Sequence, residues 1–259
     1  MKKIIFTLDL EADHAGEVAE NYSLWQQEKI KFILEFFKKN KIPLSVFVVA
    51  KSIKGHEDII ELFKSYQLNF YLHTHQQLGE NSDFPRYLAK AQDIFKDYFG
   101  YGAPAYRAPA YKIIKADLKA LRASGIKVDS SCLRSWQSWP NFFISNRFFK
   151  KQKIKELFPT VLKPLMIPNS LSWQKLIGFN FFKVCFKMNN IFFLKKDLPQ
   201  VYVFHLHDLW KSSVFSELDT FWQFIYSRNN EHGLEYLERF VSLLKEENYK
   251  FESIEDYLC

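Results

Sequence analysis

The 259-residue sequence predicts an α/β fold built on a parallel sheet. Three observations predict it. Short β-branched, apolar runs alternate with stretches whose apolar residues recur at helical spacing, the pattern of strand–helix–strand units with right-handed crossovers. Isolated polar residues fall at the C-terminal ends of the apolar runs: Asp9, His73, Arg107, Asp129 and His205. In a closed α/β barrel, or at the switch point of an open sheet, that is where a site is built. Finally, 47% hydrophobic and 18% aromatic residues, with 27 Phe among them, supply ample core for one domain of this length.

Each element follows from its own stretch. "KIIFTLDL" (3–10) is apolar and β-branched, a strand. Residues 21–41 repeat Leu24, Ile30, Ile33, Leu34 and Phe37 at helical spacing. Pro43 interrupts, and "LSVFVVA" (44–50) reads as a buried strand. "HEDIIELFKSY" is helical, "NFYLHTH" (69–75) is a strand with its exit, and the helix beginning "FPRYLAKA" closes at Gly100. "APAYRAPAY" (103–111) is extended and broken by prolines; "KADLKALRASG" is a helix and "IKVDSS" (126–131) a strand. "TVLKPLMIP" is expected as a half-buried strand followed by an amphipathic helix. "QVYVFHLHDL" (200–209) is expected as one strand with His205 and His207 on the same face. Residues 216–247 are largely helical, and "YKFESIEDYL" closes the chain with a strand and a turn of helix.

Charge and cysteines bound the function. Three widely spaced cysteines (Cys132, Cys185, Cys259) without a CxxC pair exclude a disulfide framework or a zinc finger. The apolar run before Asp9 is shorter than the roughly 7–15 residues of a signal-peptide core, and no stretch approaches the ~18 apolar residues of a spanning helix. A cytoplasmic location, peripheral at the inner membrane face, is expected. The formal net charge of +7 is local. Residues 141–196 hold eleven Lys or Arg against one acid, Glu156, interleaved with eleven Phe, and the remainder has a slight acidic excess. This basic, Phe-rich insert, at about 136–200 in an otherwise single domain spanning 1–259, reads either as core with a solvated Lys face or as a surface for a membrane or a lipid-linked phosphate. Charge alone points to nucleic acid, and no binding signature accompanies it, so no nucleic-acid partner is expected.

The stretch "FTLDLEADHAG" places Asp9, Glu11, Asp13 and His14 within six positions. On a continuing strand, period two puts the three carboxylates on one face. Such crowding suits a cation, although Asp9 as a cap, Arg107 bound to carbonyls, Asp129 in a turn and His14 in a loop are the plainer readings.

Five stretches taken together resemble the polysaccharide deacetylase family, the NodB-homology, carbohydrate esterase 4-like proteins. "TLDLEAD" (7–13) stands where the family ends its first strand with an aspartate pair. "LHTHQQ" (72–77) stands for its histidine pair, "YRAPAY" (106–111) for its Arg–Pro motif, "VDSS" (128–131) for its fourth motif and "VFHLHD" (203–208) for its fifth. The resemblance runs over essentially the whole chain. It implies a distorted (β/α) barrel of about seven parallel strands and a metal-dependent N-deacetylase, a hydrolase of carbon–nitrogen bonds. The substrate would be an N-acetylated sugar of a cell-surface polysaccharide or its lipid-linked precursor. The competing reading is a deacetylase-like carbohydrate-binding or assembly protein that has lost the metal.

Carried over by motif, Asp9 is the base and Arg107 its orienting partner. Asp129 lies in the same polar layer, and Pro109 and Tyr111 shape the substrate wall. His205 or His207 is the acid. The metal, zinc by expectation with cobalt or nickel as alternatives, falls to Glu11 or Asp13 with His73 and His75. The second motif departs from the family. Its usual second histidine is Gln77 here, a poor ligand for such a metal, so a metal-free state is the alternative.

Overall fold

In this computed structural model, residues 1–12, 21–66, 69–73, 83–135, 146–163, 165–193 and 198–258 are described. The strands among them are β1 (Lys3–Leu10), β2 (Leu44–Val49), β3 (Asn69–His73), β4 (Ala105–Arg107), β5 (Val128–Asp129), β6 (Lys155–Glu156), β7 (Val161–Leu162), β8 (Ile167–Pro168), β9 (Gln200–His205) and β10 (Lys250–Glu252). All but β7 and β8 share one parallel sheet in the order β10-β1-β2-β3-β4-β5-β6, with β9 also paired to β1.

The sheet curls because of what its inner face buries. Period two turns one residue in two inward, and Ile5, Phe47, Tyr71, Ala105, Val128, Leu157, Val201 and Val203 meet in a single apolar cluster closed by Ile254. Side chains from β1 to β5 and β9 can share one cluster only if the sheet wraps around it. The β6 edge does not pair with β9. Thr160 and Asn169 instead hold the free edge of β9: Val201 N–H donates to Thr160 Oγ1 (2.8 Å) and Val203 N–H to the Asn169 carbonyl (3.2 Å). The result is an open, distorted (β/α) barrel.

The outward residues of the same strands pack under the helices. Phe6 sits among Phe37, Tyr202 and Phe240 with centroids 5.2–6.2 Å apart, and is fully buried. Helix Gln27–Lys39 buries Ile30, Ile33, Leu34 and Phe37, the expected stripe. Helix Phe84–Phe99 starts on Asp83, whose carboxylate accepts from Arg86 N–H, and stops at Gly100 with φ 79°.

Three expectations are corrected. "TVLKPLMIP" is not one strand but the antiparallel hairpin β7–β8. The following helix is two, Leu171–Ile177 and Phe179–Phe192, because Gly178 (φ 81°, ψ 146°) breaks the run in a conformation other residues avoid. The late strand ends at His205; residues Leu206–Leu209 form a helical turn, so His205 and His207 do not share a strand face. Asp208 causes this by accepting from His205 N–H (3.0 Å) as an N-terminal cap, which rewards helix over strand.

That turn is pressed against helix Gly233–Glu246. A Cβ on Gly233 would lie 2.1 Å from the Asp208 carbonyl oxygen and 3.1 Å from Leu209 Cα. Ala in place of Gly normally stabilises a helix by about 0.5–1 kcal/mol. Here Gly233→Ala is expected to lower stability by about 1–3 kcal/mol. Urea unfolding measures this, and a neutral or stabilised variant would contradict the packing.

Candidate active site

The inner face carries its polar residues one layer above the apolar plug. Arg107, at the end of β4, is fully buried. Its Nη1 donates to Asp9 Oδ1 (2.5 Å) and Thr7 Oγ1 (3.0 Å), Nη2 to Ser130 Oγ (3.0 Å) and Nε to the Ser130 carbonyl (3.3 Å). Its guanidinium lies 4.1 Å above the Phe47 ring, the top of the plug.

Asp9 in β1 and Glu11, one residue past its end, lie on that face, as period two continued from the strand requires. His73, at the end of β3, is buried; its Nδ1 donates to the Arg107 carbonyl (2.6 Å), which leaves Nε2 facing Glu11 Oε2 at 3.3 Å. His205, at the end of β9, points Nε2 at Asp9 Oδ2 and Glu11 Oε1, both 3.7 Å away, while Nδ1 meets Asp208 Oδ2 at 3.1 Å. Burial alone would lower both imidazole pKa values, but the surrounding carboxylates outweigh it: His73 is raised, and His205 reaches about 9.

Behind His205 lies a buried polar network. Asp208 accepts from Ser172 Oγ (2.7 Å) and faces Lys175 Nζ at 3.5 Å, and Lys175 donates to the Tyr226 carbonyl (3.2 Å). Asp208 and Lys175 are both fully buried. Burial alone would raise the Asp208 pKa, but Lys175 and the two imidazoles hold it well below the usual range. Burial lowers that of Lys175 in spite of Asp208. Both Ser172 and Lys175 come from the basic insert.

Asp9, Glu11, His73 and His205 open into a pocket of about 200 Å³ whose walls include Tyr111, Trp173, Trp222 and Tyr226. Tyr111 is turned inward by a strained backbone: Ala110 and Tyr111 have φ of 47° and 57°, the left-handed region that costs non-glycine residues about 1–3 kcal/mol each. Burial raises the Tyr111 pKa, keeping its phenol protonated.

The fit to a divalent cation rests on the donors. His73 has Nδ1 tied to the Arg107 carbonyl and Nε2 turned toward Glu11, the arrangement that presents imidazole nitrogen to a metal. His205, His207 and Asp208 also bring ligand atoms within 4.8 Å of one another. The Asp208 oxygens are already engaged by Ser172, Lys175 and His205, so the Glu11 side is the better placed.

The structure therefore brings together Asp9, Glu11, His73, Arg107, Tyr111 and His205. Asp13, His75 and Gln77 lie outside the described residues. His207 is stacked behind His205 (4.6 Å between centroids) and against Tyr226, buried and away from the pocket wall. Pro109 is buried and does not line the pocket. Asp129 does not reach the pocket: it accepts from Ser131 Oγ (2.6 Å) and stands in register with Glu156. Sequence reasoning missed Lys175, Ser172, Trp222 and Tyr226. Only Asp208, the last residue of the fifth motif, carried a signal.

No protein-family model and no curated protein sequence matches the chain. Solved structures match it in fold. A putative polysaccharide deacetylase from Mycobacterium smegmatis superposes with a TM-score of 0.59 at 13% identity, over 99% of this chain and 89% of its own. A peptidoglycan N-acetylglucosamine deacetylase solved with an N-hydroxybenzamide ligand gives 0.52 at 12% identity, over 97% and 85%. A CE4 family pseudoenzyme from Bacillus anthracis gives 0.51 at 14%, over 100% of this chain and 66% of that one. A mutant of that pseudoenzyme has restored enzymatic activity. The chain has the fold of these polysaccharide deacetylases, the one its motifs resemble.

The Asp129–Glu156 pair generates a test. Burial, then the neighbouring Asp129, raises the Glu156 pKa well above its usual value, so Glu156 carries the proton. A folded pKa above the unfolded one gives stability that is complete below about pH 4.5 and lost as pH climbs toward the folded value. Gln mimics the protonated acid and keeps the acceptor for Cys132 N–H (3.0 Å). Glu156→Gln is expected to be more stable than wild type at pH ~8 by roughly 1 kcal/mol or more, with the gap closing toward pH ~4. Urea unfolding across pH reads it, and a destabilised variant at pH ~8 would contradict the protonation assignment.

Proposed function

We propose, from the polysaccharide deacetylase fold and the rim that Asp9, Glu11, His73, Arg107 and His205 form within it, that this chain is a metal-dependent N-deacetylase. Its substrate is an N-acetylated sugar of a cell-surface polysaccharide or its lipid-linked precursor. The observation that carries the reading is the buried Arg107–Asp9 pair beside two imidazoles aimed at one carboxylate. That is an acid–base apparatus next to a cation site, and it opens into a pocket with aromatic walls suited to a sugar ring.

Glu11 and His73 would hold the metal, zinc by preference for this donor set. When bound it polarises the acetamide carbonyl and lowers the pKa of water. Arg107 fixes Asp9 so that Oδ2 faces the pocket and takes the proton of the attacking water. His205, held by Asp208 at Nδ1 and protonated at neutral pH, presents Nε2–H to the departing amine. Asp208, itself held by Ser172 and Lys175, fixes the orientation of His205. Trp173, Trp222 and Tyr226 exclude water and stack on the substrate.

A non-catalytic carbohydrate-binding role is the second reading, favoured by Gln77 in the second motif and by the pseudoenzyme among the neighbours in fold. Acetate release from N-acetylhexosamine oligomers with added zinc, beside metal content, separates the two. Asp9→Asn should lower release by about 10²–10⁴-fold while the metal content stays at the wild-type level. Wild-type protein that binds the oligomers, holds no metal and releases no acetate would establish the second reading instead.

A further inference from the structure

Helix Phe179–Phe192 is apolar around more of its circumference than the barrel covers. At about 100° per residue, its buried side chains Phe179, Phe182, Cys185, Phe186 and Asn189 span an arc of roughly 120° against the core. Phe181, Val184, Met188, Ile191 and Phe192 form a second arc of about 100°, and they are exposed, Ile191 by 74% and Phe192 by 68%. Apart from the buried Asn189, the polar residues Asn180, Lys183, Lys187 and Asn190 occupy the sector between. A helix apolar over most of its surface is stable only when both arcs are covered.

Charge indicates what covers the second arc. From Leu157 to Lys196 the chain contains no Asp or Glu and six Lys. Of these, Lys183 and Lys187 lie one helical turn apart beside the apolar arc, and Lys163 stands over the ring of Phe193 just past the helix end (5.6 Å). Lys187 reaches Glu247 only at 3.8 Å and is half exposed, a weak pair. A second copy of the chain docked symmetrically on this arc would set its own lysines against Lys183 and Lys187. An anionic lipid surface would receive both features: the apolar side chains enter the acyl boundary, and the lysines extend to the headgroups. Among the described residues no helix is long and apolar enough to cross a membrane, so the helix would lie in the interface rather than span it.

We propose that the exposed face of helix Phe179–Phe192 docks the protein on an anionic phospholipid bilayer. The proposal is independent of the catalytic reading, since none of these side chains lines the pocket.

Sedimentation of the full chain with vesicles tests it. Vesicles of phosphatidylcholine containing one quarter phosphatidylglycerol should bind at least about tenfold more protein than phosphatidylcholine alone, and high salt should reduce the difference. Ile191→Asp with Phe192→Asp should lower binding to the anionic vesicles by about tenfold or more while leaving circular dichroism and the unfolding midpoint unchanged. If that variant fails to fold, Lys183→Gln with Lys187→Gln carries the test through loss of the salt-sensitive part. Equal binding to both vesicle types, no binding, variants that bind as wild type does, or a wild-type dimer that the aspartates dissociate would each overturn it.

Discussion

The buried guanidinium of Arg107 is the constraint on which the rest of the site depends. It stands on the Phe47 ring at the top of the apolar plug and spends its N–H groups on Asp9, Thr7 and Ser130. Those partners belong to β1 and to the exit of β5, so one side chain from β4 ties three elements across the barrel interior. Ser130 in turn donates to the Leu157 carbonyl (2.9 Å), extending the tie past β6. A guanidinium out of water is costly unless its donors are matched, and removing it would break the hydrogen-bonded ion pair of the buried Asp9, typically a loss of about 3–5 kcal/mol, with His205 at 3.7 Å its remaining partner. The same bonds that make Arg107 tolerable orient Asp9. Its own carbonyl, accepting from His73, sets that ring as well.

The carboxylates around this centre are handled in two ways, and the difference separates the site from its support. Asp9, Glu11 and Asp208 face cations or imidazoles: Arg107, His73, His205 and Lys175. Asp129 and Glu156 face each other in a dry setting, where two like charges are unfavourable and a proton is retained. Asp129 has the strand-end position of a site residue and the surroundings of a structural one. Its strand places it at the end of β5, but the neighbouring Val128 is the one that turns into the barrel, so its side chain falls on the opposite face.

Period two explains how much of this was legible beforehand. Asp9, Glu11, His73, Arg107 and His205 end apolar strands, and a parallel sheet that curls must bring such ends to one rim; only their order along the chain is needed to foresee it. The turn at Leu206–Leu209 was not visible, because its cap is a side chain reaching back three residues from within a run that looks β-forming. The hairpin β7–β8 was hidden too, since the apolar residues of its two strands, Val161–Leu162 and Ile167–Pro168, read along the sequence as one run. Lys175, Ser172, Trp222 and Tyr226 had no positional pattern to announce them. They belong to the site only because helix Leu171–Ile177 packs on β9 and helix Thr220–Ser227 packs on that helix, a tertiary fact.

The insert, read from composition as one basic unit, divides by physical role. Its helix Leu171–Ile177 gives the pocket Trp173 and gives Asp208 its partners Ser172 and Lys175, a cation whose solvation is replaced by a carboxylate and a carbonyl. Helix Phe179–Phe192 keeps Lys187 at the surface, where charge stays solvated, and buries Phe182 and Phe186 against Phe240 at 5.5 and 5.1 Å. Gly178 makes the division possible. Its backbone turns the chain so that the two helices present their lysines to different surroundings, one to the site's carboxylate and the others to solvent. A net charge counted over the whole segment thus overstates its surface and conceals its contribution to the pocket, since Lys175, the cation that matters most to His205, is not exposed at all.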